Sequence, residues 1–320
     1  MIVDLPDTTT SRISKELVKL REEGGAVALG RVLTLIIATA PGAEEEAIEA
    51  ANDASREHPM RVIVVATEPG TEDAAVEPRL DAEIRVGGDA GASEVIVLRA
   101  SGDAARDEES LITGLLLPDA PVVTWWPGIA PAVPGEAPLG RFAQRRITDA
   151  SAQPDPQAAL LTLQQNYTPG DADFAWTRLT LWRAQLAAVL DQPPYAPVTR
   201  VHVTGAIDSP STTLLAAWLQ MQLGAVTDYV LTPVDDGSPG IHGVVLERPT
   251  GPIELIRDVP GVATLRQPGQ PVHDVALPRR SLRDCLADEL RRLDPDELYG
   301  EVITNGLQQL GGAESEGADA

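Results

Sequence analysis

The chain has 320 residues, 43% of them hydrophobic and 23% charged, a balance that suits a folded soluble protein with one large core or two medium ones. Its net charge is −23, with 14 basic against 26 acidic side chains in residues 1–150 and 11 against 22 in the remainder. Acidity in both halves argues against nucleic acid and anionic membranes as partners, because both recruit clustered positive charge.

Met1 to Pro6 has no basic region followed by an apolar core, and no apolar run approaches the roughly 20 residues of a membrane helix. A single cysteine, Cys285, leaves no partner for an internal disulfide, so a cytoplasmic location is expected. Thr8 to Ser11 can cap a first helix with Ile13, Leu17 and Leu20 on one face, ended by Gly24-Gly25. Residues 31–39 and 61–67 read as strands flanking a helix over 43–57, and such a β–α–β run favours a parallel pair. An acidic loop follows, then strands over 80–86 and 93–99 joined across Gly87-Gly88-Asp89-Ala90-Gly91. A helix over 106–117 leads into Leu115-Leu116-Leu117-Pro118-Asp119-Ala120-Pro121-Val122-Val123-Thr124-Trp125-Trp126-Pro127-Gly128. There a short apolar strand, read as the last parallel strand of the first unit, ends in two tryptophans and is stopped by Pro-Gly. Strand neighbours point to opposite faces, so one indole is expected in the core and the other toward a second layer, a ligand or a partner.

Residues 129–140 form a loop rich in proline, and helices are predicted over 155–166 and 172–190. After Pro193-Pro194 a second unit begins with a strand over 198–205. Ser209 then serves as N-cap and Pro210 as first residue of a helix to about Leu223, and a strand follows over 225–231. Residues 240–277 read as about four short antiparallel strands. Two helices close the fold, over 281–293 and 294–310, and residues 311–320 form an acidic tail expected to be disordered. The predicted class is α/β, with two α/β units and mixed sheets, the second containing an antiparallel meander and C-terminal helices. The expected domains are 1–150, carrying the tryptophan strand, and 151–310, followed by the tail at 311–320.

No catalytic signature emerges. There is no P-loop, and the glycine run at 87–91 joins strand to strand, without the helix N-terminus that holds a pyrophosphate. The strand–loop–helix segment with Ser209, Ser211 and Thr212 could bind a phosphate or sugar phosphate, although a plain capped helix needs the same residues. His58, His202, His242 and His273 are scattered and suggest no metal site. Glu44 to Glu46 read as a solvated first turn, and Cys285 lies on an apolar stripe as a core thiol. Arg141, Arg145 and Arg146 form a basic island, which could hold a ligand, meet an acidic partner or pair with local acids.

Leu116 to Gly128 resembles the signature region of the glucose-6-phosphate dehydrogenase assembly proteins, the OpcA family. The His58-Pro59-Met60-Arg61-Val62-Ile63-Val64-Val65 block and the strand–Ser-Pro–helix unit at 198–223 are similar to further blocks of that family. The resemblance covers nearly the whole chain apart from the acidic tail. It implies a non-catalytic partner of glucose-6-phosphate dehydrogenase that promotes assembly or the active oligomer in the oxidative branch of pentose phosphate metabolism. It supplies no catalytic residues to carry over, and with only Cys285 it gives no basis for a thiol switch; no cofactor and no metal are expected. Trp125, Trp126, Arg141, Arg145 and Arg146 are the candidate partner contacts. The alternative is a sugar-phosphate-binding protein or enzyme built on Ser209, Ser211 and Thr212.

Overall fold

The computed structural model describes residues 1–23, 32–68, 76–87, 94–233 and 239–310. The chain divides into two compact units. The first comprises Met1–Thr148, Gly170–Ala172 and Ser281–Pro295, and the second holds Asp149–Pro169, Asp173–Arg280 and Asp296 onward. In chain order the elements are β1 (Ile2–Leu5), α1 (Thr10–Glu23), β2 (Leu33–Thr39), α2 (Glu44–Ala54), β3 (Met60–Glu68), β4 (Arg79–Val86) and β5 (Glu94–Ser101). There follow α3 (Glu108–Thr113), β6 (Val122–Trp125), β7 (Arg145–Thr148), α4 (Pro156–Asn166), β8 (Asp171–Asp173), α5 (Phe174–Thr177) and α6 (Thr180–Leu190). The remainder is β9 (Arg200–Ala206), α7 (Pro210–Leu223), β10 (Val226–Thr232), β11 (Ile241–Glu247), β12 (Ile253–Val259), β13 (Gly261–Arg266), β14 (His273–Leu277), α8 (Leu282–Arg291) and α9 (Glu297–Glu301).

The first unit is built on an eight-stranded sheet in the order β1-β4-β5-β3-β2-β6-β7-β8. Parallel pairing links β5 to β3, β3 to β2, β2 to β6 and β6 to β7, while β1 and β4 pair antiparallel at one side. The central strands are covered on both faces, which is why β2, β3 and β5 are near-continuous apolar runs rather than alternating ones. One core cluster joins Ile13 and Leu17 of α1, Ile36, Ile63 and Ile96 of the central strands, and Leu111 and Ile112 of α3.

Several predicted elements shift. The tryptophan strand is not the last parallel one, because β7 pairs with it in register Val123↔Arg145 and Trp125↔Ile147. The helix predicted over 106–117 shortens to α3, capped by the Asp107 carboxylate, which accepts from the Ser110 amide at 3.1 Å. The helix predicted over 172–190 is broken: Asp171–Asp173 is a strand, and the Asp173 carboxylate caps α5 through the Ala175 amide at 2.8 Å. The first turn of α2 is not simply solvated, since Glu44 is buried and pairs with Arg99 at 3.1 Å. Glu45 pairs with Arg85, whose guanidinium holds that carboxyl below the ordinary glutamate range. The helix end at Gly24-Gly25, most of the glycine run at 87–91 and the acidic tail lie outside the described residues.

The second unit is a six-stranded sheet in the order β10-β9-β11-β12-β13-β14. β10 runs parallel to β9, and β11 to β14 form the antiparallel meander that the turn spacing of 240–277 predicts. Its core joins Val201 and Val203 of β9, Leu214, Leu215 and Leu219 of α7, and Val244 and Leu255 of the meander. α7 is apolar almost all round, so it is buried on most of its surface.

Candidate functional site

Trp125 ends β6 and is fully buried, while Trp126 is 6% exposed. Trp126 belongs to the core cluster that includes Ile36, Leu115 and Leu139, and its backbone N–H donates to the Ile147 carbonyl at 3.0 Å. Gly140 permits this packing, because a Cβ there would lie 1.8 Å from the Pro134 carbonyl oxygen and 3.3 Å from the Trp126 ring. The alternation of side chains holds, and of the three surroundings left open for the second indole it is a second layer that encloses it. Both faces of the sheet are layered here, so residues pointing opposite ways are both enclosed.

The arginine island separates into two roles. Arg145 and Arg146 are buried on β7, and Arg141 is at the surface. The Arg145 guanidinium donates through Nε and Nη2 to Glu289 of α8, and through Nη1 to the Asp294 carbonyl at 2.8 Å. Arg146 donates to the Asp171 carboxylate and, at 3.0 Å, to the Ala143 carbonyl. Gly170, at φ +99°, makes way for it: a Cβ there would lie 2.6 Å from the Gln144 carbonyl oxygen and 3.0 Å from Arg146 Nη2. Satisfied buried pairs of this kind organise the fold, and neither guanidinium is left for a ligand. Arg141 pairs with Glu109 at 2.9 Å, with its side chain 60% exposed.

The serine-rich helix start lies in the second unit, beside a half-open cleft lined by Ser151, Arg178, Trp182, Arg257 and Arg279. Ser209 occupies the N-cap position of α7, but its hydroxyl makes no capping hydrogen bond. Pro210 follows at the first helical position, where its missing N–H costs nothing. The Ser211 hydroxyl donates to the Ala175 carbonyl at 2.7 Å, and Thr212 Oγ1 is fully buried without a hydrogen-bond partner. Gly205 keeps this corner open, since a Cβ there would lie 2.1 Å from Thr212 Oγ1 and 2.9 Å from the Gly240 carbonyl oxygen. Three arginines that sequence reasoning missed line the same cleft, Arg178, Arg257 and Arg279. Arg178 is already held by Asp149 at 2.6 and 2.8 Å and by the Ser151 hydroxyl at 3.0 Å. Arg257 lies 5.9 Å from the Trp182 ring centroid and donates to the Pro239 carbonyl at 2.8 Å. Gly240, at φ +90°, lets that guanidinium lie against the backbone. Burial, and then the neighbouring charge of Arg279, hold Arg257 below the ordinary arginine range. Among the described residues neither Arg257 nor Arg279 has a carboxylate partner, and no carboxylate lines the cleft.

The remaining titratable candidates stay apart. His202 bridges Asp228 at 3.5 Å and Glu247 at 3.2 Å, His273 meets the Pro271 carbonyl at 3.3 Å, and Cys285 is buried and in no disulfide. Among the described residues no cluster of three His, Cys, Asp or Glu side chains could hold a metal ion, and no helix is long and apolar enough to cross a membrane.

Two family models match in tandem. Residues 51–165 match the N-terminal domain, and residues 169–303 the C-terminal domain, of the glucose-6-phosphate dehydrogenase subunit. A protein of Synechocystis, carried under the provisional name OxPP cycle protein OpcA, is 35% identical over 126 residues. That match spans 37% of this chain but only 24% of the relative's length. Among solved structures, scyllo-inositol dehydrogenase of Lactobacillus casei is similar at 10% identity and a TM-score of 0.38, over 88% of this chain and 94% of that one. Glucose-6-phosphate 1-dehydrogenase of Mycobacterium avium is similar at 13% identity and a TM-score of 0.37, over 88% and 92%. Likenesses this loose carry no argument about function. The two tandem family matches, over most of the chain and in the family's own order, do: the chain belongs to the glucose-6-phosphate dehydrogenase subunit family, OpcA.

Proposed function

We propose that this protein is a non-catalytic subunit of glucose-6-phosphate dehydrogenase, binding the enzyme and favouring its assembled, active form in the oxidative pentose phosphate pathway. The observation that carries this reading is the tandem match to both domains of the dehydrogenase subunit family. For a subunit to activate, it has to bind the active form more tightly than the inactive one, because equal affinity shifts no equilibrium. Of the five residues expected at the interface, Arg141 keeps an exposed side chain. It is therefore the residue assigned to the partner contact, and the two tryptophans, Arg145 and Arg146 act by holding the first unit in shape. Gel filtration of the purified protein with the dehydrogenase tests this reading. A co-eluting complex weakened by Arg141→Glu supports it, and separate elution at every mixing ratio overturns it.

A further inference from the structure

We propose that the cleft at the start of α7 is a binding site for the phosphate group of a small phosphorylated metabolite, held by Arg257, Arg279 and the Ser209 hydroxyl. In a chain of net charge −23, most buried or half-buried guanidiniums have acquired carboxylates, as Arg61, Arg85, Arg145, Arg146 and Arg178 have. Half-buried Arg257 has none among the described residues, and neither does exposed Arg279 beside it, although both line one cleft and the charge of Arg279 acts on Arg257. Two like charges directed into one half-enclosed space repel unless an anion lies between them. Asp208, adjacent in sequence to Ser209, does not line the cleft and so does not fill that role.

Three further features select phosphate over other anions. The N-terminus of α7, a helix of 14 residues, carries partial positive charge at the cleft. The Ser209 hydroxyl occupies the capping position but is not spent on a cap, so it is available to donate to an oxygen of the ligand. Paired guanidinium forks match a dianion with three terminal oxygens better than a monocarboxylate, which one arginine satisfies. The cleft is open to solvent on one side, so a ligand held there by its phosphate has room to project outward. This assigns the clamp to Arg257 and Arg279, in place of the Arg141, Arg145 and Arg146 set that the sequence brings to mind.

The test is calorimetric titration of the full chain with inorganic phosphate, glucose 6-phosphate and glucose, at constant ionic strength. The site predicts saturable binding of inorganic phosphate and of glucose 6-phosphate, competition between the two, and no heat from glucose. Arg279→Gln, at an exposed residue, and Arg257→Gln should each weaken phosphate binding by about tenfold or more, the value of one lost charge-assisted hydrogen bond. Arg141→Gln should leave it unchanged. If Arg257→Gln does not fold, Arg279→Gln decides alone. Absence of saturable phosphate binding, or binding that survives Arg279→Gln intact, overturns the proposal. The titration contains no dehydrogenase, so its failure leaves the subunit reading standing, and failure of the subunit reading leaves this one standing.

Discussion

Replacing Arg145 by methionine should destabilise the first unit severely, because it removes one half of a buried ion pair. Arg145 is 4% exposed and Glu289 is 6% exposed, so the carboxylate left behind has little access to water. The substitution also deletes a hydrogen bond to the Asp294 carbonyl. Stranding one member of such a pair costs about 3–5 kcal/mol, a large share of the roughly 5–15 kcal/mol that holds a typical domain together. If the cost comes from the stranded charge, Arg145→Met combined with Glu289→Leu should recover most of it and lie within about 1 kcal/mol of the parent. Arg141→Ala, at an exposed pair, should stay within about 0.5 kcal/mol. Urea unfolding followed by tryptophan fluorescence and by circular dichroism provides the measurement, with coincident curves needed for a single free energy. An Arg145→Met loss below about 1 kcal/mol, or a double variant as unstable as the two single losses added, would refute the reasoning.

Trp125→Ala should cost about 3–5 kcal/mol in the same urea assay, because the ring is fully enclosed, and a loss below about 1 kcal/mol would contradict that placement. Gly205→Ala should cost about 1–3 kcal/mol by forcing Thr212 or the Gly240 carbonyl aside, and an unchanged melting temperature would show the corner to be looser than 2.1 Å implies. Burial holds Glu108 above the ordinary glutamate value of 4.5, against a hydrogen bond from Thr67. The folded state then binds more protons than the unfolded one, so this group's contribution to stability is lost as pH rises above 4.5. Glu108→Gln should accordingly raise the melting temperature at neutral pH and not below pH 4.5, and the opposite pattern would sink the assignment.

Much of this architecture is legible in the sequence, wherever burial and apolar character coincide. The runs that became β2, β3 and β5 are apolar on both faces, and the strands of the meander are punctuated by glycine and proline. The reading fails where polar residues are buried. β7 reads Arg-Arg-Ile-Thr and all four residues are enclosed, because Glu289 and Asp171 satisfy the guanidiniums from segments far along the chain. β8, Asp171–Asp173, hides for the same reason. Alternation correctly sends the two tryptophans to opposite faces, but it cannot reveal that a second layer covers each. The cleft shows the same limit. Ser209 and Ser211 carry a local signal, whereas Arg257 is one polar position in an alternating strand and Arg279 follows a proline at the strand's end. Only the sheet order, which puts β11 between β9 and β12, brings them to the start of α7.

The central claim concerns the dehydrogenase, and sedimentation velocity combined with the initial rate tests it most directly. Titrating this protein into purified glucose-6-phosphate dehydrogenase should produce a faster-sedimenting species and a higher rate that saturate together at one stoichiometry. An enzyme whose sedimentation and rate both stay constant across the titration would contradict the account.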